Sequence, residues 1–593
     1  MAKAATDTKG RFGDVDAVTF EVLRNTFEYA CNRMTTIMQR TSFSPILADI
    51  LDFSNAVYDP DLRLLAQAAN CPVHLAAMQY SADAVAKKYP IETMKPGDIF
   101  ALNDPYQGGT HTNDITFIMP IYSGKELLGF AVSRGHWMDL GGGAAGGMSF
   151  STHVAAEGLR IPPIKLYENY EINQDFLAII MNNTRTPHFI EGDLQAHLGA
   201  LKAAEQELQR AAARYGIDTV KSAMKELIGY TERIIRKSIE EIPDGVYTAE
   251  DFADTDGFSP DPVKVKVTLT VKGSDILVDF TGSDPTCKGS INSPYANTAS
   301  AAFYSLQFFL APHAPSNAGM FEPIQLNIPE GTWLNPQWPA PVIGCTTLTS
   351  SKITSAIWQA LAQAIPDRVT GSTCAEANWF VSSTKDKDGR ADVFSDLPAG
   401  GWGGTPYNDG MSVTMDPLGN CMNMMAETAE LLFPIEYEAY ELREDSAGAG
   451  QNRGGLGAIF KVRFLCEGEM NMETSRTREG TPGVNGGLRS AVQRSTHVYP
   501  DGKEIVIGGL TDNGDWRSPL LSGHHFDHDE MFKFESTGGG GWGDPKQRPL
   551  QKVLDDVIDG YVSVKMARED YGVAIDPGSM TIDETETARL RGS

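Results

Sequence analysis

Residues 98–134 contain three short apolar runs: DIFALN (98–103), DITFIMPIY (114–122) and LLGFAVSR (127–134). Each is bounded by glycine, proline or aspartate. Runs of this length and bounding read as strands. Only SGKE separates the second from the third, so these two are expected to pair antiparallel across a tight turn. Helical patterns lie on both sides. Over residues 14–41, Val18, Val22, Phe27, Ala30, Met34 and Ile37 recur at spacings of three to five, with Glu21, Arg24 and Glu28 between them. After Pro187, Leu194, Leu198, Leu201, Ala204 and Leu208 form a stripe against Lys202, Glu205 and Arg210, and the pattern resumes through Ile239. From about residue 260 the period changes to two: VKVKVTLTV, the turn KGSD and ILVDF read as an antiparallel hairpin.

A chain of 593 residues exceeds what one core supports. The expected architecture is mixed α/β (α+β) and multidomain. An N-terminal domain over 1–255 carries the long helices, and a β-rich C-terminal domain covers 256–593. The boundary falls in the turn-rich stretch IPDGVYTAEDFADTDG, near 245–258. The C-terminal part is rich in glycine loops, GGWGG (400–404), GAGQNRGGLG (448–457) and GGGGWGD (538–544), which serve backbone geometry.

The net charge of -27 would repel a phosphate backbone or an anionic bilayer, which excludes nucleic acid and membrane as expected partners. The stretch MAKAATDTKGRFGDVD has no apolar core of a signal peptide, and no run of about 18 apolar residues occurs. Seven scattered cysteines (31, 71, 287, 345, 374, 421 and 466) form no CxxC. They are expected as reduced core thiols in a cytoplasmic protein, not as a zinc ribbon. The motifs GxxxxGK[ST], GxSxG and HExxH are absent, as is GxGxxG between a strand and a helix.

The loop DPYQGGTHTND (104–114) holds more chemistry than a turn needs. Asp114 opens one strand and His111 stands just before it, while the next strand runs out into SRGHWMD, with His136 and Asp139 at its far end. Antiparallel pairing brings His136 towards His111 and Asp114. Two imidazoles and a carboxylate make a facial set suited to a divalent transition metal; Zn, Mn and Fe would all accept it. An ordinary polar loop is the competing reading. Asp104 reads as a turn residue, with a role orienting a histidine as the alternative. Asp52 reads as a helix cap or turn aspartate, and His74, in CPVHLAAM, as a satisfied core histidine. The run GGGAAGG (141–147) suits a mobile lid, a backbone nest for an anion or a plain flexible loop.

GDIFALNDPYQGGTHTNDITFIMPIY strongly resembles the signature of the hydantoinase B family, the metal-carrying subunits or domains of N-methylhydantoinase, 5-oxoprolinase, caprolactamase and the acetone and acetophenone carboxylases. RTSFSPILADILDFSNAVYD, GHWMDLGG, EGLRIPPIKL and NNTRTPHFIEGDLQAHLGA are similar to further family motifs, in order. So are DSAGAGQNRGGLG and the segment from GGGGWGDPKQ to Val573. The resemblance implies that His111, Asp114 and His136 bind a divalent metal (Zn or Mn, less readily Fe), with Asp52 as fourth ligand. It also implies a hydantoinase A-type partner holding ATP and Mg, assembled as a heterotetramer with two copies of each subunit. Trp137 stands where many relatives carry histidine, and the pair Ala48–Asp49 differs from the charged pair common there.

The activity this implies is ATP-dependent opening of a cyclic amide: the partner phosphorylates the amide oxygen, and metal-activated water attacks the carbon. Asp139 is the candidate base or ligand-orienting group, with a strand-end cap as its plainer role. Arg160 and Arg185 are candidates for holding phosphate. The alternative within the family is an ATP-dependent ketone carboxylase. Outside it stand an Fe(II) oxygenase and a non-catalytic scaffold with a structural metal.

Overall fold

The computed structural model describes residues 12–592 except 149, 375 and 386–388. Residues 1–11, where a leader was sought, lie outside the described residues. The first sheet has seven strands: β1 (Phe53–Tyr58), β2 (Leu64–Gln67), β3 (Ile99–Leu102), β4 (Asp114–Ser123), β5 (Glu126–His136), β6 (Ile164–Glu168) and β7 (Glu171–Ile172). Its order is β2-β1-β5-β4-β3-β6-β7, antiparallel throughout. The three strands expected from the apolar runs are β3, β4 and β5.

These strands read as continuous apolar runs because the sheet is covered on both faces. Ile115, Phe117, Met119 and Ile121 of β4 join a core with α1 (Ala17–Thr41), α5 (Pro187–Tyr215) and α6 (Ile217–Ile239). Ile118, with Phe100, Leu102, Phe130 and Val132, joins a second core under α3 (Pro72–Lys88), α7 (Tyr295–Gln307) and α8 (Ser350–Ala364). The short helices α2 (Pro45–Ala48) and α4 (Gln174–Asn182) complete the numbering. Both cores draw residues from either side of residue 255, among them Phe380 and Phe460 in the first and Val265 and Ile357 in the second.

Two expectations need correction. The buried face of α1 is Phe20, Leu23, Phe27, Ala30, Met34 and Met38, whereas Val18 and Val22 are 74% and 40% exposed. The true stripe keeps strict three- and four-residue steps; the expected one contained a five-residue step that rotates off the face. Residues 245–253 are also not rich in turns. They form strand β8 (Gly245–Ala253), fully paired with β9 (Val263–Lys272). Tyr247, Ala249, Asp251 and Ala253 lie on its more buried face, so period two overrides the local density of turn residues. The expected hairpin is β9 with β10 (Asp275–Asp279), and β11 (Ile324–Asn327) adds a parallel edge. The long helical pattern after Pro187 breaks at Gly216, whose φ of 84° ends α5.

The C-terminal region adds three sheets, one of four strands built on Trp379–Lys385, one of six built on Ala458–Phe464 and a two-stranded one of Ile575–Asp576 with Thr581–Ile582. The glycine loops pack main chain on main chain beside them. Gly455 N–H donates to Trp402 O at 2.7 Å, Gly539 N–H to Gly455 O at 3.0 Å, and Gly404 N–H to Gly540 O at 2.9 Å. A Cβ on Gly401 would stand 2.0 Å from Gly455 O, and one on Gly539 would stand 1.9 Å from Trp402 O. Gly401→Ala or Gly539→Ala is therefore expected to destabilise by about 1–3 kcal/mol or more, because backbone cannot yield as a side chain does. Gly229→Ala in α6, where the Cβ meets only the end of Arg233, should stabilise by up to about 1 kcal/mol. Thermal unfolding of the three variants measures both signs.

Candidate metal centre

Three neighbouring strand ends deliver the site. Asp114 is the first residue of β4 and His136 the last of β5, directly opposed in register. On the other flank of β5, Phe53 pairs with Gly135, and His136 N–H donates to the carbonyl of Asp52 at 3.0 Å. Strand order β1-β5-β4 thus sets Asp52, His136 and Asp114 side by side, although residues 52 and 114 are far apart in the chain. His111 reaches the group from the turn before β4, where Asp114 N–H donates to His111 O at 3.2 Å. The two glycines of that turn are required by close approach: a Cβ on Gly108 (φ 91°) would lie 2.3 Å from the Tyr80 carbonyl of α3.

His111 Nε2 is 3.0 Å from Asp114 Oδ1 and 3.2 Å from His136 Nδ1, which is itself 3.4 Å from the same Oδ1. Asp52 Oδ2 is 3.8 Å from His136 Nδ1. His111 Nδ1 donates to the Ile343 carbonyl at 2.9 Å, so in the neutral imidazole Nε2 carries the lone pair. The lone pair of His111 Nε2 then faces Asp114 Oδ1 and His136 Nδ1 in a buried space, an arrangement that needs a proton or a cation between them. Burial opposes protonation of His111, but the Asp114 charge and hydrogen bond outweigh it and raise its pKa. Burial likewise acts to raise Asp114, yet His111 and His74 hold its carboxyl well below the usual carboxylate range.

His74 is buried, as a core histidine would be, but it belongs to this cluster. Its Nε2 is 3.3 Å from Asp114 Oδ2 and 3.8 Å from Asp52 Oδ1. Asp52 likewise caps no helix with its side chain; the carboxylate points into the group. His74 and Asp52, together with Cys71, form a second set of donors within reach of one ion. The Cys71 thiol is pushed well up by burial and by Asp52, Asp416 and Asp114, and it donates to Leu418 O at 3.3 Å. The histidines and Asp52 line a cavity of about 40 Å³, closed by Trp379, Leu397, Asp416 and Leu418. That is room for a few waters, at about 10–15 Å³ each. Trp379 stands edge-on to His111 and His136, at centroid distances of 5.9 and 5.2 Å.

The remaining candidates lie elsewhere. Asp139 is fully buried, and its carboxylate accepts from Gly141 N, Gly146 N, Arg185 N and Arg185 Nη1 at 2.6–3.2 Å. It has no place in the cavity lining, and the strand-end role describes it. The glycine run 141–147 is indeed a backbone nest, filled by this chain's own carboxylate. Arg185 is spent on Asp139 and on Gly142 O at 2.9 Å. Arg160 lies 3.6 Å from Asp104, which caps the turn at Tyr106 as expected. Neither arginine reaches the histidines' cavity. Trp137 is buried against Phe117 and lies outside the cavity lining.

One positioning group carried no signal in the sequence. Glu157, at the start of EGLRIPPIKL, accepts from Val342 N and Ile343 N at 2.7 and 2.9 Å, and so fixes the carbonyl that orients His111. Its partners lie 185 and 186 residues away. Burial pushes Glu157 and the neighbouring Glu473 up to about 8.

Residues 16–545 match the hydantoinase B/oxoprolinase family, and the chain belongs to that family. It is 32% identical to an uncharacterised protein of Methanocaldococcus jannaschii, over 98% of this chain and 100% of that one. It is 30% identical to the B component of a putative D-/L-hydantoinase from a Pseudomonas species, over all of both chains. Identity to the beta component of the caprolactamase of Pseudomonas jessenii is also 30%, over 98% and 99%. The crystal structure of the ATP-dependent caprolactamase from that organism superposes with a TM-score of 0.90 at 29% identity, covering 98% of this chain and 100% of that one. Acetone carboxylase shares the fold, with a TM-score of 0.86 at 21% identity over 99% and 84%. Among the described residues no helix is long and apolar enough to cross a membrane.

A carboxyl raised on folding keeps its proton between about pH 4.5 and 8 in the native state, while the unfolded chain has released it. Stability is therefore greatest below about pH 4.5 for these two groups, and it is lost as pH rises through about 8. Denaturant unfolding between pH 5 and 9 should show that decline, and Glu157→Gln with Glu473→Gln should flatten it.

Proposed function

We propose that this chain is the metal-carrying hydrolytic subunit of an ATP-dependent cyclic-amide hydrolase of the lactam, hydantoin or oxoproline type, working in the cytoplasm. The supporting observation is the convergence of His111, Asp114, His136 and Asp52 at neighbouring strand ends, with His111, His136 and Asp52 lining one cavity. Two relatives 30% identical over essentially the whole chain are named as components of a hydantoinase and of a caprolactamase. The donors fit a divalent ion such as Zn or Mn. Ligands held about 2.0–2.2 Å from one ion stand roughly 3–3.5 Å apart, the spacing of three of these atoms. No lysine or arginine lines the cavity among the described residues. When bound, such an ion lowers the pKa of a water enough to supply a nucleophile near neutral pH.

The chain's own groups then handle protons and exclude solvent. His74 Nε2, between the two carboxylates, is placed to take a proton released in the cavity. Asp416, which burial pushes up to about 6, lines the same space and can protonate the ring nitrogen as its C–N bond breaks. Trp379, Leu397 and Leu418 keep bulk water out. ATP and Mg belong to a hydantoinase A-type partner, assembled as a heterotetramer with two copies of each subunit. Phosphorylation of the amide oxygen makes the ring carbon electrophilic; one water adds as the C–N bond breaks and a second releases phosphate from the resulting acyl phosphate, so ring amide, ATP and two waters yield the open-chain amino acid, ADP and phosphate.

His111→Ala and His136→Ala are each expected to lower bound metal at least tenfold by elemental analysis; a full metal load in either would refute the ligand set. With the partner present, ATP hydrolysis should rise with lactams or hydantoins. A response to ketones alone, consuming bicarbonate, would sink the amide reading. His74→Ala should keep its metal and lose about 10²-fold or more in turnover.

A further inference from the structure

Among the described residues, five lysine and arginine side chains are buried. Four of them meet a carboxylate. Lys352 reaches Glu376 at 2.6 Å, Arg453 reaches Asp556 at 3.1 Å, Arg476 reaches Asp251 at 2.8 Å and Arg548 reaches Asp409 at 2.6 Å. The fifth, Arg134, is fully buried and meets only neutral hydroxyls. Its Nε donates to Thr116 Oγ1 at 2.7 Å and its Nη2 to Ser81 Oγ at 2.8 Å, while Nη1 has no hydrogen-bond partner among the described residues. A guanidinium keeps its proton in a protein, and a buried charge is costly unless an opposite charge nearby offsets it.

The offsetting charge lies one step along the sheet. Arg134 precedes His136 by two residues on β5, so both side chains project from one face, roughly 6.6–6.8 Å apart along the strand. β4 repeats the step, with Asp114 opposite His136 and Thr116 opposite Arg134. Helix α3 covers both rungs: His74 lies 3.3 Å from Asp114, and Ser81, two turns further on, accepts from Arg134. The Ser81 hydroxyl in turn donates to Gly108 O at 2.6 Å, in the loop that carries His111. Burial opposes the charge on Arg134, and Asp114 is the strongest of the groups that favour it. The guanidinium thus acts on the donor cluster through its field, from outside the cavity lining.

The direction of that effect follows from Coulomb's law. Before an ion binds, Arg134 offsets part of the repulsion between the Asp52 and Asp114 carboxylates. A divalent ion arriving beside them meets an added positive charge. One side chain therefore stabilises the ion-free form and weakens ion binding.

We propose that Arg134 is a fixed countercharge that keeps the donor cluster assembled in the ion-free protein and limits its affinity for a divalent ion. This rests on the metal-centre reading given above for His111, Asp114, His136 and Asp52.

The test is the Zn affinity of the full chain, measured by competition with a chelator. Arg134→Met, which keeps the length and loses the charge, should bind Zn about tenfold more tightly or better, and Arg134→Lys should stay within about threefold of the unaltered chain. A purely structural arginine gives the opposite sign, because a loosened site binds an ion less well. Equal or weaker binding by Arg134→Met overturns the proposal, as does an equal tightening in Arg134→Lys. If Arg134→Met loses its native circular dichroism without the ion, its recovery on adding Zn supports the proposal, since tighter binding to the folded state means greater stabilisation. A variant that stays unfolded with Zn overturns it. An unaltered chain that binds no Zn would refute the metal centre itself, and this proposal with it. Binding by the unaltered chain without a gain in Arg134→Met refutes the role of Arg134 alone.

Discussion

Backbone hydrogen bonding between β1, β5 and β4 sets the position of every other group at the site. Side chains alternate along a strand, so a slip of one residue in either pairing would turn His136 away from Asp114 or Asp52 towards the opposite face. Burial of the sheet on both faces guards against that slip, since each register error would also drive apolar side chains of β4 and β5 out of their cores. The donor atoms are thus held by the packing of two hydrophobic layers that take no part in the chemistry. Glu157 adds a finer adjustment by pinning the carbonyl that selects the His111 tautomer.

Much of this framework was legible in the residues. The apolar runs marked β3, β4 and β5, and the short turn between the last two placed His136 opposite Asp114. What escaped depends on partners remote in sequence. His74 looked like core because its helical neighbours are apolar, and the carboxylates it meets come from residues 52 and 114. Asp139 looked reactive because nothing in GHWMDLGG reveals that Arg185 and two glycine amides already surround it. The α1 face was misjudged locally, where a valine pattern competed with the better-spaced Phe20, Leu23 and Phe27.

The glycine clusters illustrate a different limit. Each reads alone as a loop whose glycines serve backbone geometry, yet Trp402, Gly455 and Gly539 hydrogen-bond through their main chains at spacings that leave no volume for a Cβ. Their rigidity belongs to the set. It arises from mutual exclusion among segments more than fifty residues apart, which composition cannot convey.

The division of labour between the strand ends and the segments that enclose them has an evolutionary corollary. His111, His136, Asp52 and Asp114 are held at the strand ends of one sheet, whereas Trp379, Leu397 and residues 416–421 enclose the cavity from segments outside that sheet. Substitutions in the enclosing segments can accumulate without shifting a donor atom. A scaffold of this kind can drift among substrates by retailoring its cover while its inorganic chemistry stays constant.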